Sequence, residues 1–293
     1  MREGAWRRAA EEDLPALELF LRVHEASSAG LISRLLGPGR LGLPRSPRSS
    51  LWIHSLPEGQ PIVRGAVLCT STGLAFPLFP EESAGDDECL AALIRGRPFE
   101  AASIVGPARD VERLERALFL RPLVAVEYRL MRRFIPASPP PRGQGGGLAE
   151  GLSIRAAGPG DLDALFPLQE AYEREEVLTP IHRFDASGSR AALARSLREE
   201  TIVAASLDGR FVGKAGTNAR AFTFDQIGGV FVAPPYRRRG IARLLMEDLL
   251  ARLALRNKGA VLFVKSRNEP ARALYRGLGF DEIGDYRADY LGM

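Results

Sequence analysis

Residues 226–243, QIGGVFVAPPYRRRGIAR, constrain the fold more than any other stretch of this 293-residue chain. Ile227 to Val232 is apolar and rich in β-branched side chains, the pattern of a buried strand. Pro234 and Pro235 end it, because neither can donate to a ladder and each fixes its own φ. A short turn carrying Arg237, Arg238, Arg239 and Gly240 follows. From Ile241 onward, Leu244, Leu245, Leu249 and Leu253 recur at helical spacing. In a strand, tight turn and helix, the unpaired N–H groups of the first helical turn and the positive end of the helix dipole face one space. That space suits an anion.

Neither GxxxxGK[ST] nor GxGxxG stands here, so this is not a mononucleotide or dinucleotide loop of those types. Gly240 lets a bulky phosphate approach the backbone, and Ala242 keeps the first helical turn low beneath it. The run from Val232 to Ala242 resembles the acyl-CoA pyrophosphate loop of the GNAT superfamily of N-acetyltransferases, [QR]-x-x-G-x-[GA]. Arg237, Gly240 and Ala242 occupy its three defined positions, while position 238, often glycine in the family, is arginine. The resemblance implies that Arg237, Arg238, Arg239, Gly240, Ile241 and Ala242 hold the diphosphate of acetyl-CoA, used as a co-substrate.

Residues 264–280, VKSRNEPARALYRGLGF, resemble the second cofactor motif of the same family, N-x-x-A-x-x-[LY]-Y-x-x-x-G-F. Asn268 is suited to cap a helix with Pro270 in its first turn. Asn268, Ala271 or Arg272, and Tyr275 then share one helix face. The resemblance implies that this face lies on the pantetheine arm, with the Tyr275 hydroxyl near the thioester sulfur as proton donor. The bland alternative is an ordinary half-buried tyrosine. Counted from Arg237, the Val230 N–H is the candidate oxyanion donor, with Val232 next along the pantetheine.

Many members of the family carry a glutamate four residues before that donor. Gln226 stands there in this chain and cannot take a proton, and strand alternation sends Asp225 to the other face. Glu175 and Glu176, in AYEREEVLTP, are the next candidates for a general base, although the run also reads as a solvated charge cluster. A water relay off backbone carbonyls, or His182, stays open.

Composition narrows the partners. The net charge is +4, but only three lysines stand against 37 arginines, and acidic residues are interleaved almost everywhere. A nucleic-acid face would be longer and would carry interleaved aromatics, so none is expected. No apolar run approaches the ~18 residues of a membrane span, and the charged start, MREGAWRRAAEEDLP, lacks the apolar core of a signal peptide. Cys69 and Cys89 are too few for a disulfide framework, which leads to an expected cytoplasmic location. With three scattered histidines, no metal site is expected. The sequence sets no oligomeric state.

The chain also repeats itself. Arg8 to Leu17 and Arg155 to Leu165 match at Arg-Ala-Ala, Asp-Leu and Ala-Leu if one inserted residue is allowed. Asp13 and Asp161 then read as caps before apolar helical runs. Each half yields the order ααβββαβαβ, and Pro136 to Gly151, PASPPPRGQGGGLAEG, has linker composition. The expected fold class is α/β: two tandem GNAT-like domains, each a mixed, mostly antiparallel sheet flanked by helices. The boundaries are 1–135, a linker 136–151, and 152–293. Four carboxylates between Pro80 and Asp87 would repel a diphosphate, which assigns acetyl-CoA to the second domain and leaves the first degenerate. The implied activity is N-acetylation of a primary amine (a small molecule, an amino acid or a peptide α-amine) by direct attack in a ternary complex. The tandem layout also resembles the mycothiol synthase group. A non-catalytic acyl-CoA sensor is the reading from another class, kept open by Gln226.

Overall fold

The computed structural model describes residues 5–56, 62–80, 87–96, 100–135 and 151–291. The acidic stretch 81–86 and the linker 136–150 lie outside these residues. The first half holds β1 (Ala5–Arg8), α1 (Leu14–Val23), α2 (Glu25–Leu35), β2 (Ser50–Leu56), β3 (Ile62–Cys69), β4 (Leu74–Leu78), α3 (Asp87–Arg95), β5 (Ser103–Pro107), α4 (Ala108–Leu118) and β6 (Val124–Arg133). The second half holds β7 (Leu152–Ala156), α5 (Leu162–Tyr172), α6 (Ala186–Glu199), β8 (Ile202–Leu207), β9 (Arg210–Arg220), β10 (Phe224–Val232), α7 (Ile241–Ala254), β11 (Gly259–Lys265), α8 (Glu269–Arg276) and β12 (Asp281–Tyr290).

All twelve strands join one sheet in the order β1-β2-β3-β4-β5-β12-β6-β11-β10-β9-β8-β7. It is antiparallel apart from β4 with β5 and β10 with β11. Strand β12 lies between β5 and β6, and β6 lies between β12 and β11. The last strand of each half is therefore flanked by a strand of the other, and residues of β6 reach the neighbourhood of β11. Tyr128, for example, stands opposite Lys265.

Helix α7 shows why the second half folds as it does. Its apolar residues recur every three or four positions, so Leu245, Leu249 and Leu253 fall on one side and are fully buried against β8, β9 and β11. Each such leucine contributes about 2 kcal/mol by leaving water. On the opposite sheet face, α5 and α6 cover Ile202, Ala204 and Phe231.

The two halves are clamped at the β9–β10 turn. Glu25 of α2, 4% exposed, accepts from the Thr223 N–H at 2.5 Å, the Thr223 hydroxyl at 2.7 Å and the Phe224 N–H at 2.8 Å. A buried carboxylate is stable there because its oxygens are matched by fixed donors.

The repeat is real, with a corrected register. Arg7 binds Asp13 through two bonds of 2.6 and 2.5 Å, and Arg155 binds Asp161 through two of 2.8 and 2.6 Å. Both pairs are six residues apart, so Arg7 corresponds to Arg155 and no inserted residue is needed. Neither aspartate caps the following helix with its side chain. Each reaches back instead, Asp13 to the Ala10 N–H and Asp161 to the Gly158 N–H. Strands β1 and β7, which precede these turns, escape sequence reading. Four or five residues interrupted by arginines show little alternation, and pairing with β2 and β8 decides their state.

Candidate active site

Strands β10 and β11 run parallel for only three pairs, Phe224 with Gly259 through Gln226 with Val261. Beyond them β10 follows β9 to Val232, while β11 follows β6 to Lys265. The strands separate toward their carboxyl ends, the position where open α/β sheets place ligands. Within this stretch β10 is bulged between Gly228 and Phe231, and Gly229 adopts φ +63°. The Gly229–Val230 peptide is thereby taken out of the regular ladder.

The turn after β10 opens onto the same gap. Arg238 has φ +63° and Gly240 φ +78°, so two residues of the turn are left-handed. Successive N–H groups in such a turn form an anion-binding concavity. Among the described residues, none accepts from the N–H groups of Arg238, Arg239 or Gly240. A Cβ on Gly240 would meet nothing within 4 Å, so the cradle is open. Position 238 is the place where arginine replaces the family's frequent glycine, and left-handed φ explains that preference at a cost of about 1 kcal/mol. The Arg237 side chain turns back rather than outward. Its Nε donates to the Val232 carbonyl at 2.8 Å and its terminal nitrogen to Glu175 at 2.8 Å. Arg237 thus braces the loop, and the donors left facing the opening are backbone N–H groups with Arg238 and Arg239, both exposed. Ile241 is buried beneath the first helical turn, and Ala242 packs at the edge of the same core.

Facing this turn, α5 ends in a widened turn, Glu173–Val177, closed by the Leu178 N–H on the Glu173 carbonyl. Such turns recur at functional sites because they redirect side chains. Three carboxylates fan out from it. Glu173 accepts from Gln169 at 2.6 Å and Ser189 at 2.8 Å, Glu175 holds Arg237, and Glu176 meets Lys265 at 2.9 Å. Burial raises the pKa of the Tyr128, Tyr172 and Tyr275 phenols, and the charge of Glu176 adds a smaller push in the same direction. His182 packs against Tyr290 with ring centroids 5.1 Å apart. At the strand, the Gln226 amide donates to Asn218 at 2.8 Å, and Asp225 lies fully buried beside Arg256 and Lys258.

In the second motif Asn268 caps α8, its side-chain oxygen accepting from the Ala271 N–H at 3.2 Å. Tyr275 is 7% exposed, and burial raises its pKa, which keeps the proton on the phenol. Phe280 is buried against it.

Sequence reading missed Lys214 and Tyr172. Lys214 is 6% exposed on β9; its Nζ donates to the Gly229 carbonyl at 3.3 Å and lies 4.7 Å from the Tyr172 ring centre. Burial lowers its pKa to about 8, against the opposing pull of Glu173. Burial likewise pushes Tyr172 up to about 12, partly offset by a hydrogen bond to the Gly229 backbone. One signal was available. All three lysines of this arginine-rich chain have internal partners: Gly229 for Lys214, the Ala221 and Phe222 carbonyls for Lys258, and Glu176 for Lys265. A compact ammonium suits such positions better than a guanidinium fork.

In the first half, β4 and β5 remain close beyond their parallel pairs at Leu74–Ser103 and Ala75–Ile104. A Cβ on Gly106 of β5 would lie 3.1 Å from the Pro77 carbonyl of β4, so these strands stay together there. Asp110 of α4 fills the strand end by accepting from the Phe79 N–H at 2.9 Å.

The sequence model of the Acetyltransferase (GNAT) family matches residues 163–280. An uncharacterized protein of Mycobacterium leprae is 32% identical over 139 residues, 46% of this chain and 36% of that protein. The N-alpha-acetyltransferase RimI of Mycobacterium tuberculosis is 36% identical over 93 residues, 30% of this chain and 56% of RimI. The chain thus spans between about a third and somewhat over half of these relatives. A tandem GNAT protein from the clavulanic acid biosynthesis pathway shares the fold at 15% identity, with a TM-score of 0.57 over 99% of both chains. No helix among the described residues is long and apolar enough to cross a membrane.

Proposed function

Residues 163–280 belong to the GNAT acetyltransferase family, and on that premise we propose that the chain is an acetyl-CoA-dependent N-acetyltransferase acting on a primary amine. The observation that carries the proposal is the open backbone cradle at Arg238 to Gly240, at the mouth of the gap between β10 and β11. The diphosphate sits on that cradle, and the pantetheine arm runs between Val230 and Val232 on one side and Asn268, Ala271 and Tyr275 on the other. The acetyl group lies at the bulge, with Tyr172, Glu176 and Tyr128 around the acceptor.

The residues divide the work by chemistry. The Val230 N–H stabilises the oxyanion as the amine adds to the thioester carbonyl. Tyr275, whose phenol keeps its proton, gives it to the departing thiolate. Glu176 is the candidate to relieve the attacking ammonium of a proton, because its partner Lys265 stands opposite Tyr128, whereas Glu175 is turned to Arg237 of the loop. RimI is an N-alpha-acetyltransferase, which places peptide and amino-acid α-amines first among the acceptors to test. The closed strand end beside Asp110 supports a first domain, 1–135, that does not bind acetyl-CoA and instead supplies Tyr128 to the acceptor side.

Free thiol release from acetyl-CoA across a panel of amines and peptide N-termini tests this reading. Release that depends on one acceptor class is the expected result; no release and no acetyl-CoA binding overturns it. A second reading, an acyl-CoA sensor, is favoured by one observation, the engagement of Gln226 with Asn218 where a carboxylate would otherwise stand. Acetyl-CoA binding without turnover identifies it.

A further inference from the structure

Lys214 has no task in the proposed reaction, yet its surroundings are specific. The Gly229–Val230 peptide has left the ladder, so neighbouring strands no longer fix it. Lys214 Nζ donates to its carbonyl at 3.3 Å. The peptide is trans, as all peptide bonds described here are, so the Val230 N–H points opposite to the Gly229 carbonyl. Holding one end therefore sets the other. A Cβ on residue 229 would stand 3.0 Å from Nζ, so glycine there leaves the ammonium its place.

We infer that Lys214 is a positioning residue: by gripping the Gly229 carbonyl it aims and polarises the Val230 N–H, the oxyanion donor. An ammonium at the oxygen end of a peptide draws electron density from nitrogen, which strengthens the N–H as a donor. Tyr172 supports the ammonium through its ring face, and Glu173 supplies the neighbouring charge. The strands on either side bring apolar residues opposite Lys214, Ala204 of β8 and Phe231 of β10. Lys214 itself needs no contact with substrate. The role rests on the acetyltransferase reading for its purpose, but the grip on the peptide does not.

The lowered pKa gives the test its pH axis. With a folded value of about 8, Lys214 loses its proton through the mildly alkaline range, and the grip weakens as pH rises. In the wild-type protein the Val230 amide resonance should shift with a midpoint near pH 8, and kcat should fall over the same interval. Lys214→Met should abolish that shift and lower kcat by ~10-fold or more, with little change in the acetyl-CoA KM. A Val230 amide indifferent to pH in the wild type overturns the inference, and so does a variant that turns over at the wild-type rate. The wild-type titration needs neither turnover nor a variant. If no acceptor supports thiol release but the amide still titrates near pH 8, the grip stands and the acetyltransferase reading falls.

Discussion

The Arg237 guanidinium and the Glu175 carboxylate meet at 2.8 Å across 62 residues of chain, tying the turn after β10 to the widened end of α5. Two adjacent glutamates that look equivalent in the sequence are thereby separated. Glu175 braces the loop, while Glu176 meets Lys265, which stands opposite Tyr128. Glu176→Gln should lower kcat by ~100-fold or more. Glu175→Gln should leave kcat within a few-fold and cost under ~1 kcal/mol of stability, as expected of an exposed pair. Steady-state kinetics on both variants decide the matter; a larger kcat loss at Glu175 would reverse the assignment.

Tyr275→Phe removes one hydroxyl from a buried ring and leaves the packing on Phe280 in place. If Tyr275 is the proposed proton donor, the expected result is a kcat lower by ~10-fold or more with a nearly constant acetyl-CoA KM, because such a proton is given up only in the transition state. Equal rates would remove Tyr275 from the reaction.

Glu25→Ala strips the β9–β10 turn of its acceptor. Two backbone N–H groups and one hydroxyl, at Thr223 and Phe224, would lose their partner. A loss of about 2–4 kcal/mol is expected in urea unfolding. A loss below about 0.5 kcal/mol would show that water replaces the carboxylate and that the halves are not clamped there.

The two Arg–Asp pairs set an acid limit. Hydrogen bonds from Arg7 depress the Asp13 pKa, and those from Arg155 hold Asp161 at about 2, each below the usual 3.8. Depressed carboxyl values mean stability that is complete above about pH 4 and lost as pH falls toward 2. Asp13→Asn should cost about 2 kcal/mol at pH 7, and its deficit should shrink as the wild type is acidified through that window. A deficit constant with pH would contradict the pairing.

Much of this was legible in the sequence, for identifiable reasons. Val232, Gly240 and Asn268 stand in motifs whose chemistry is local: a strand end, a left-handed glycine and a helix cap. The repeat around Asp13 and Asp161 was visible because the same short turn was built twice. What stayed hidden depends on tertiary contact. Lys214 acquires meaning only from a bulge on the neighbouring strand, and Glu175 and Glu176 diverge only because α5 ends in a widened turn. The exchange of β6 and β12 leaves no local trace, since either strand pairs through its backbone with whichever neighbour the topology brings.

The central claim is that backbone N–H groups beside Gly240 bind the diphosphate of acetyl-CoA. Calorimetric titration of acetyl-CoA into the wild type, Gly240→Asn and Gly240→Asp tests it most directly. Asparagine tolerates the left-handed turn and controls for bulk, whereas aspartate adds a charge that repels the ligand. One site per chain is expected in the wild type, with modest weakening by asparagine and a Kd raised by ~10-fold or more by aspartate. The same Kd in all three proteins would contradict it.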